Sequence, residues 1–139
     1  MSLERTLAIV KPDAVAAGHA GEILAVIEKA GFRILSLRMT RLTEPQAKGF
    51  YAVHCRKPFF PALVKFMTEG PIIVMALERE DAIRQWRDTM GATNPAHAAE
   101  GTIRRRFAAS IERNCVHGSD APDTADTELR FFFSTADLL

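Results

Sequence analysis

The chain is short of almost everything that would advertise a function by bulk chemistry. Its 18 Lys and Arg nearly cancel its 17 Asp and Glu, leaving a formal charge of +1, so no global field draws it toward nucleic acid or anionic lipid. It has no apolar run of membrane-spanning length, and Met1-Ser2-Leu3-Glu4-Arg5 does not begin like a signal peptide. These absences predict a cytoplasmic protein with no membrane contact. Two cysteines, Cys55 and Cys115, are too few for a disulfide framework and are expected to be reduced, Cys115 buried beside Val116. No G-x-x-x-x-G-K-[ST], G-x-G-x-x-G, C-x-x-C or H-E-x-x-H occurs, and His19, His54, His97 and His117 lack metal-site spacing. P-loop, dinucleotide and zinc chemistry therefore have no support.

What is present is an ordinary globular composition. With 139 residues and 47% hydrophobic content, residues 1–139 are expected to form one domain that buries most of its apolar surface. Thr6 to Val10 is short and apolar and predicts a strand ending at a Lys11-Pro12-Asp13 turn. Ile23, Ile27 and Ala30 share a helical face that stops at Gly31. Leu35, Leu37 and Met39 alternate with Ser36, Arg38 and Thr40, the period of a half-buried strand. Thr43 and Gln46 form a capping-box pattern for a helix carrying Phe50, Tyr51 and Val53. A further helix follows Pro58 through Met67. Ile72 to Leu77 reads as a central strand buried on both faces, and Ile83, Trp86 and Met90 as a helix closed by Gly91. From about Ala92 to Asp126 the pattern weakens into loop, interrupted by a short helix after Thr102. A loop of that length in a compact domain points to function. Leu129 to Phe133 is expected to be the last strand. Alternating strands and helices of this kind predict an α+β sandwich with ferredoxin-like βαββαβ topology and a four-stranded antiparallel sheet.

His117, in Asn114-Cys115-Val116-His117-Gly118-Ser119-Asp120, stands out within the long loop. The glycine and small polar residues that follow predict a tight turn rather than a strand or helix. Imidazole can serve as base, nucleophile or ligand near neutral pH. Arg104-Arg105-Arg106 could be a solvated basic face, the ordinary reading for at least two of them, or a phosphate clamp, since guanidinium matches phosphate in a bidentate way. Arg87 is ambiguous in the same sense. Phe59 is a core residue by base rate or a platform for a nucleobase. Tyr51 ordinarily would be partly buried with a satisfied hydroxyl, and Glu128 an exposed strand-end carboxylate unless it reaches His117. Taken singly, these residues specify only an α+β domain with a loop histidine and candidate phosphate-binding cations.

Taken in order, the motifs resemble the nucleoside diphosphate kinase family along nearly the whole chain. Glu4-Arg5-Thr6 with Ile9-Val10-Lys11-Pro12-Asp13, Phe50-Tyr51-x-x-His54, Arg56-Lys57-Pro58-Phe59-Phe60, Gly91-Ala92-Thr93-Asn94-Pro95, Gly101-Thr102-Ile103-Arg104 and Asn114-x-x-His117-Gly118-Ser119-Asp120 carry the likeness. The resemblance implies transfer of a γ-phosphate onto His117 and then onto a nucleoside diphosphate, with broad base tolerance. It implies that Lys11 contacts the γ-phosphate and ribose hydroxyl, with Tyr51 hydrogen-bonding near Lys11 to hold it. Arg87, Thr93 and Arg104 would grip the distal phosphates and Asn114 the sugar. Phe59 would stack on the base beside Leu63 and Ile111, and Glu128 would orient His117 with support from Ser119. Mg2+ would arrive on the nucleotide, with no protein cage of its own. The family assembles as tetramers or hexamers built from a common dimer, so the resemblance implies a homo-oligomer, and the short tail after Phe133 favours a tetramer or dimer. Arg105 and Arg106 depart from the family, which commonly has a small and then an acidic residue there. The three arginines alone leave open a nucleic-acid-binding module on the same fold, although no nucleic-acid partner is expected. A histidine phosphatase is a further alternative, requiring water as the acceptor.

Overall fold

The structure is a computed structural model and describes residues 2–138. A single four-stranded antiparallel sheet has the order β2-β3-β1-β4, built from β1 (Leu3–Val10), β2 (Arg33–Thr40), β3 (Ile72–Glu80) and β4 (Val116–Gly118). Helices α1 (Pro12–Ala16) and α2 (Ala20–Lys29) join β1 to β2, α3 (Glu44–Phe50) and α4 (Phe60–Met67) join β2 to β3, α5 (Ala82–Met90) and α6 (Ile103–Phe107) join β3 to β4, and α7 (Pro122–Phe132) follows. Leaving out the shorter insertions, β1-α2-β2-β3-α5-β4 is the expected ferredoxin-like order.

Both faces of the sheet are covered, and the strand sequences show why. Along β1 and β3, Ala8, Val10, Ile73, Met75 and Leu77 enter one core with Ile23 and Ile27 of α2 and Trp86 and Met90 of α5. The intervening Leu7, Ile9, Ile72, Val74 and Ala76 enter a second core with Val64 and Met67 of α4 and Leu129 and Phe132 of α7. Successive side chains of a strand point to opposite faces, so strands with two cores must be apolar throughout. Each Leu or Ile so buried contributes about 1.5–3 kcal/mol relative to exposure.

The local signals for helices largely hold. Thr43 and Gln46 close a reciprocal capping box on α3, and Gly31 and Gly91 stop α2 and α5 at φ 87° and 86°. The segment after Lys11 is the short helix α1, with Pro12 in its first turn, rather than a plain turn.

Three expectations fail. Leu129 to Phe133 is not a strand: Leu129 to Phe132 end α7, whose buried residues Ala125, Leu129 and Phe132 recur at helical spacing. Three aromatics in a row favour a strand by local propensity, but that periodic apolar face packs on the sheet and wins. The fourth strand is instead Val116–Gly118, so His117 lies in a strand paired with Ile9 and not on a loop. Its partner strand is far away in sequence, and three residues carry no periodic signal of their own. Finally, Leu37 and Met39 are not buried. An irregularity in pairing between Ile34 and Ser36 sets aside Leu35, and beyond it Leu37 and Met39 lie opposite Met75 and Ile73 at the open edge of the sheet.

Candidate active site

The C-terminal end of β1 and the short β4 deliver the two polar anchors of the site. Lys11 is buried where β1 ends, and its Nζ donates to Asn114 Oδ1 at 2.8 Å. Burial, and then the positive Arg104 nearby, pull its pKa down to about 8, against the opposing pull of Asp13. Lys11 is therefore a cation held at some cost, ready to gain from an anionic ligand.

Arg104 is the buried member of its triplet. Thr102 caps α6 by accepting from the Arg105 N–H, and the first turn then points Arg104 inward. Its Nε, Nη1 and Nη2 donate to the carbonyls of Asn114 (3.3 Å), Gly91 (3.0 Å) and Val116 (2.9 Å). One guanidinium thus ties α6 to the end of α5 and to the 114–116 segment while two of its five N–H groups stay uncommitted. Burial is the main influence lowering its pKa. Arg105 reaches only the Ala96 carbonyl at 3.3 Å, and Arg106 lies over the Phe107 ring and pairs with Glu22 of α2 at 3.3 Å. The three arginines therefore do not form one basic patch, and the reversed charge at Arg106 finds a local partner.

His117 is framed on every side. Its Nε2 lies 2.9 Å from Glu128 Oε1, and Ser119 Oγ donates to the same oxygen at 2.8 Å. Ser119 is fully buried and accepts from the Leu7 N–H of β1. Burial raises the Glu128 pKa, but the hydrogen bond and charge of His117 and the Ser119 hydroxyl outweigh it and leave the carboxyl below its ordinary range. An ionised carboxylate only accepts, so the imidazole proton sits on Nε2 and the lone pair on Nδ1. Glu128 does this from helix α7, one side of which faces the sheet. The Phe50 ring meets the imidazole edge-on at a centroid distance of 5.4 Å, with Tyr51 at 6.2 Å.

Tyr51 corrects its expected role. It is buried, and its hydroxyl has no hydrogen-bond partner, neither Lys11 nor any other group. Burial first, and then the Glu128 charge, raise its pKa, so the phenol stays protonated.

A cleft of about 690 Å3 opens from these anchors, lined by Lys11, Asn114, Thr93, Phe59, Leu63 and Ile111 among others. Phe59 and Ile111 are each 49% exposed, an apolar lip open to solvent. Arg87 lies outside the lining, and its Nη1 binds Asp120 at 2.6 Å, beside the His117 strand. A second concavity of about 710 Å3 lies by Arg5, Glu78, Asp126 and Arg130. Arg5 pairs there with Glu78 and Arg130 with Asp126, and Glu4 Oε1 accepts from the Ile83 N–H, so it offers no free cation comparable to Lys11. Among the described residues no group of three or more His, Cys, Asp or Glu comes together that could hold a metal, and no helix is long and apolar enough to cross a membrane. Both cysteines are free, Cys115 buried as expected and Cys55 exposed.

Two contributors were not singled out for the site from sequence. Trp86 was read only as a helix core residue, yet its fully buried Nε1–H donates to the His117 carbonyl at 3.0 Å. A Cβ on Gly118 would lie 2.5 Å from its ring, so the glycine after the histidine is required by this contact. Asp13 was read only as part of a turn, yet its Oδ2 accepts from the Cys115 N–H at 3.1 Å. Nothing local in the sequence brings either side chain to residues 115–118.

Comparisons with known proteins agree with this geometry. A family model described as nucleoside diphosphate kinase matches residues 4–138. A nucleoside diphosphate kinase of Syntrophotalea carbinolica is 60% identical over 137 residues, covering 99% of this chain and 100% of that protein. The crystal structure of the Aquifex aeolicus nucleoside diphosphate kinase superposes with a TM-score of 0.97 at 42% identity, covering 99% of this chain and 100% of that one. A halophilic nucleoside diphosphate kinase from Halobacterium salinarum in complex with CDP superposes with a TM-score of 0.94 at 40% identity, covering 99% of this chain and 92% of that one.

Proposed function

The chain belongs to the nucleoside diphosphate kinase family of phosphotransferases, and from that premise we propose that it works by a ping-pong route through a phosphohistidine on His117. The observation that carries this reading is the Nε2–Glu128 hydrogen bond, which leaves Nδ1 as the nucleophilic nitrogen. In the first half-reaction Nδ1 attacks the γ-phosphorus in line. The N–P bond forms as the bond to the β,γ-bridging oxygen breaks, and the nucleoside diphosphate leaves with the electron pair. In the second, a β-phosphate oxygen of another nucleoside diphosphate attacks the same phosphorus and returns the pair to Nδ1. One site serves both directions.

The surrounding residues take roles that fit their positions. Lys11 spends one of its three N–H groups on Asn114, leaving two for phosphate oxygens or the ribose hydroxyl. The two free N–H groups of Arg104, the remaining donors of Arg87 and the Thr93 hydroxyl bind the distal phosphates. Cations of this kind supply the electrostatic stabilisation on which phosphoryl transfer depends. The orphaned Tyr51 hydroxyl is a donor available to the phosphoryl group as it arrives at the imidazole. Asn114 binds the sugar. Phe59 stacks on the base, with Leu63 and Ile111 beside it, and stacking tolerates every base. Mg2+ enters with the nucleotide triphosphate as part of the substrate.

The chain acts as one cytoplasmic domain within a homo-oligomer. The exposed apolar Leu37 and Met39 on the edge strand β2 support assembly, because an uncovered apolar edge is a template for pairing with a second copy. The decisive experiment incubates the protein with γ-labelled MgATP. The expected product is acid-labile, base-stable phosphate on His117 that chases onto GDP, CDP and UDP. His117→Ala should take up no label and lose roughly 10^4-fold or more of turnover. Transfer that persists in this variant would refute the mechanism.

A further inference from the structure

The residue two before His117 is held in a conformation its side chain disfavours. Cys115 has φ 63°, one of only two non-glycine residues with positive φ among those described. The Val116 N–H donates to the Asn114 carbonyl at 2.8 Å across it. A bond from residue i+2 to i over a positive φ is a γ-turn, a rare and strained shape for a residue with a β-carbon. Strain of this sort persists only where the surroundings impose it.

The imposing groups come from the junction of β1 and α1. The Lys11 N–H donates to the Cys115 carbonyl at 2.9 Å, and Asp13 Oδ2 accepts from the Cys115 N–H at 3.1 Å. Both backbone groups of the strained residue are therefore held by a single short segment. The turn decides where its flanks go. On one side the Asn114 side chain meets Lys11 Nζ, and on the other the chain enters β4, with His117 opposite Ile9. Asp13 Oδ1 is buried and has no partner, so the carboxylate is kept at this place without full compensation.

We propose that Asp13 is a positioning residue for phosphoryl transfer: by holding the Cys115 N–H it enforces the γ-turn that aligns Asn114 and His117 with Lys11. The inference rests on the phosphohistidine reading. Its carboxylate has a second effect, since its negative charge favours the ammonium form of Lys11.

The test is single-turnover labelling of His117 at saturating MgATP across pH, with the Tm of each variant measured alongside. Wild-type labelling is the control: its absence would refute the phosphohistidine, whereas labelled wild type with unaffected Asp13 variants would refute only the present inference. Asp13→Ala should label at least ~10-fold more slowly, the scale of a small misplacement of reacting groups. Adding Cys115→Gly should restore most of that rate, because glycine adopts positive φ without the β-carbon penalty, even though it empties a buried side chain and lowers Tm. Asp13→Asn keeps an acceptor oxygen and loses the charge. It should label within about 3-fold of wild type at pH 7, with the alkaline limb of its profile moved to lower pH. An Asp13→Ala protein that labels at the wild-type rate would overturn the proposal, as would a defect that Cys115→Gly leaves untouched. If Asp13→Ala does not fold, the double variant and Asp13→Asn decide: an Asp13→Asn protein crippled at pH 7, or a double variant that folds and labels no faster than ~10-fold below wild type, overturns it.

Discussion

The two ends of the Lys11 cleft are built on opposite plans. The end proposed for the phosphates is buried and polar: Lys11 and Asn114, with Arg104 bonded to the Asn114 carbonyl beside them, are almost out of water, and each is tied by hydrogen bonds to the strands or loops around it. The end proposed for the base is apolar and open, with Phe59 and Ile111 half exposed. Every nucleotide substrate presents the same phosphates, so rigid, desolvated donors can be placed for them in advance. The bases differ from one another, and an open aromatic face holds any of them without donors that would have to match. The difference teaches that exactness and tolerance can share one cleft when the substrate itself divides that way.

The comparison can be broken most severely at Arg104. Arg104→Ala removes a cation from the proposed phosphate end and strands the carbonyls of Gly91 and Val116, while that of Asn114 keeps its bond from the Val116 N–H. It should lower kcat by roughly 10^2–10^3-fold and cost about 1–3 kcal/mol of stability, read by steady-state kinetics and denaturant unfolding. Lys11 tests the same end through pH. With a pKa of about 8, its ammonium is lost as pH rises through that value, and kcat/KM should fall on that alkaline limb. Stability should move the other way. Between about pH 8 and the ordinary lysine value the unfolded chain holds a proton that the folded chain has released, so this group's contribution to stability rises with pH. Lys11→Gln should remove that limb and reduce kcat/KM about 10^2-fold. Equal pH profiles for wild type and Lys11→Gln would show that another group titrates.

A smaller effect is expected where orientation alone is at stake. Glu128→Gln should slow labelling of His117 roughly 10- to 100-fold. Because the Glu128 pKa is depressed in the folded chain, its carboxylate contributes stability above the unfolded carboxyl pKa, and that contribution is lost as pH falls through the folded value. The Gln variant should lack this part of acid destabilisation in unfolding curves collected down the acid range. Least costly is the open end. Phe59→Ala should raise KM about 10-fold for purine and pyrimidine nucleotides alike with kcat nearly kept, while Phe59→Trp should stay close to wild type. A loss confined to one base would mean that Phe59 reads identity rather than surface.

The sequence was legible where a residue's neighbours along the chain decide its state. The capping box at Thr43, the stops at Gly31 and Gly91 and the two-faced burial of Ile72 to Leu77 all follow from local pattern. Motif likeness named the candidate site residues, and of these the structure brings Lys11, Asn114, Thr93, Phe59, Leu63 and Ile111 to one cleft. What failed was decided at a distance. Phe131, Phe132 and Phe133 look like a strand until the spacing from Ala125 is followed across a polar stretch. Val116–Gly118 is a strand only because β1 lies beside it. Tyr51 has the residue type for a hydrogen bond to Lys11, but its buried hydroxyl has no partner. Arg104 cannot be told from Arg105 and Arg106 by composition, because only the phase of α6 turns one inward and leaves two in solvent.

Ser119 joins Glu128 to the backbone of Leu7, and the bond between Leu7 and Ser119 spans 112 residues of chain. Contacts of such range form late, since the intervening loop must be closed before they repay its entropy. The imidazole therefore has no fixed bearing until the helix that carries Glu128 docks, and a chain still emerging from the ribosome carries its first strand and Lys11 long before it carries His117 and Glu128. Activity in this protein is a report that folding has reached its end.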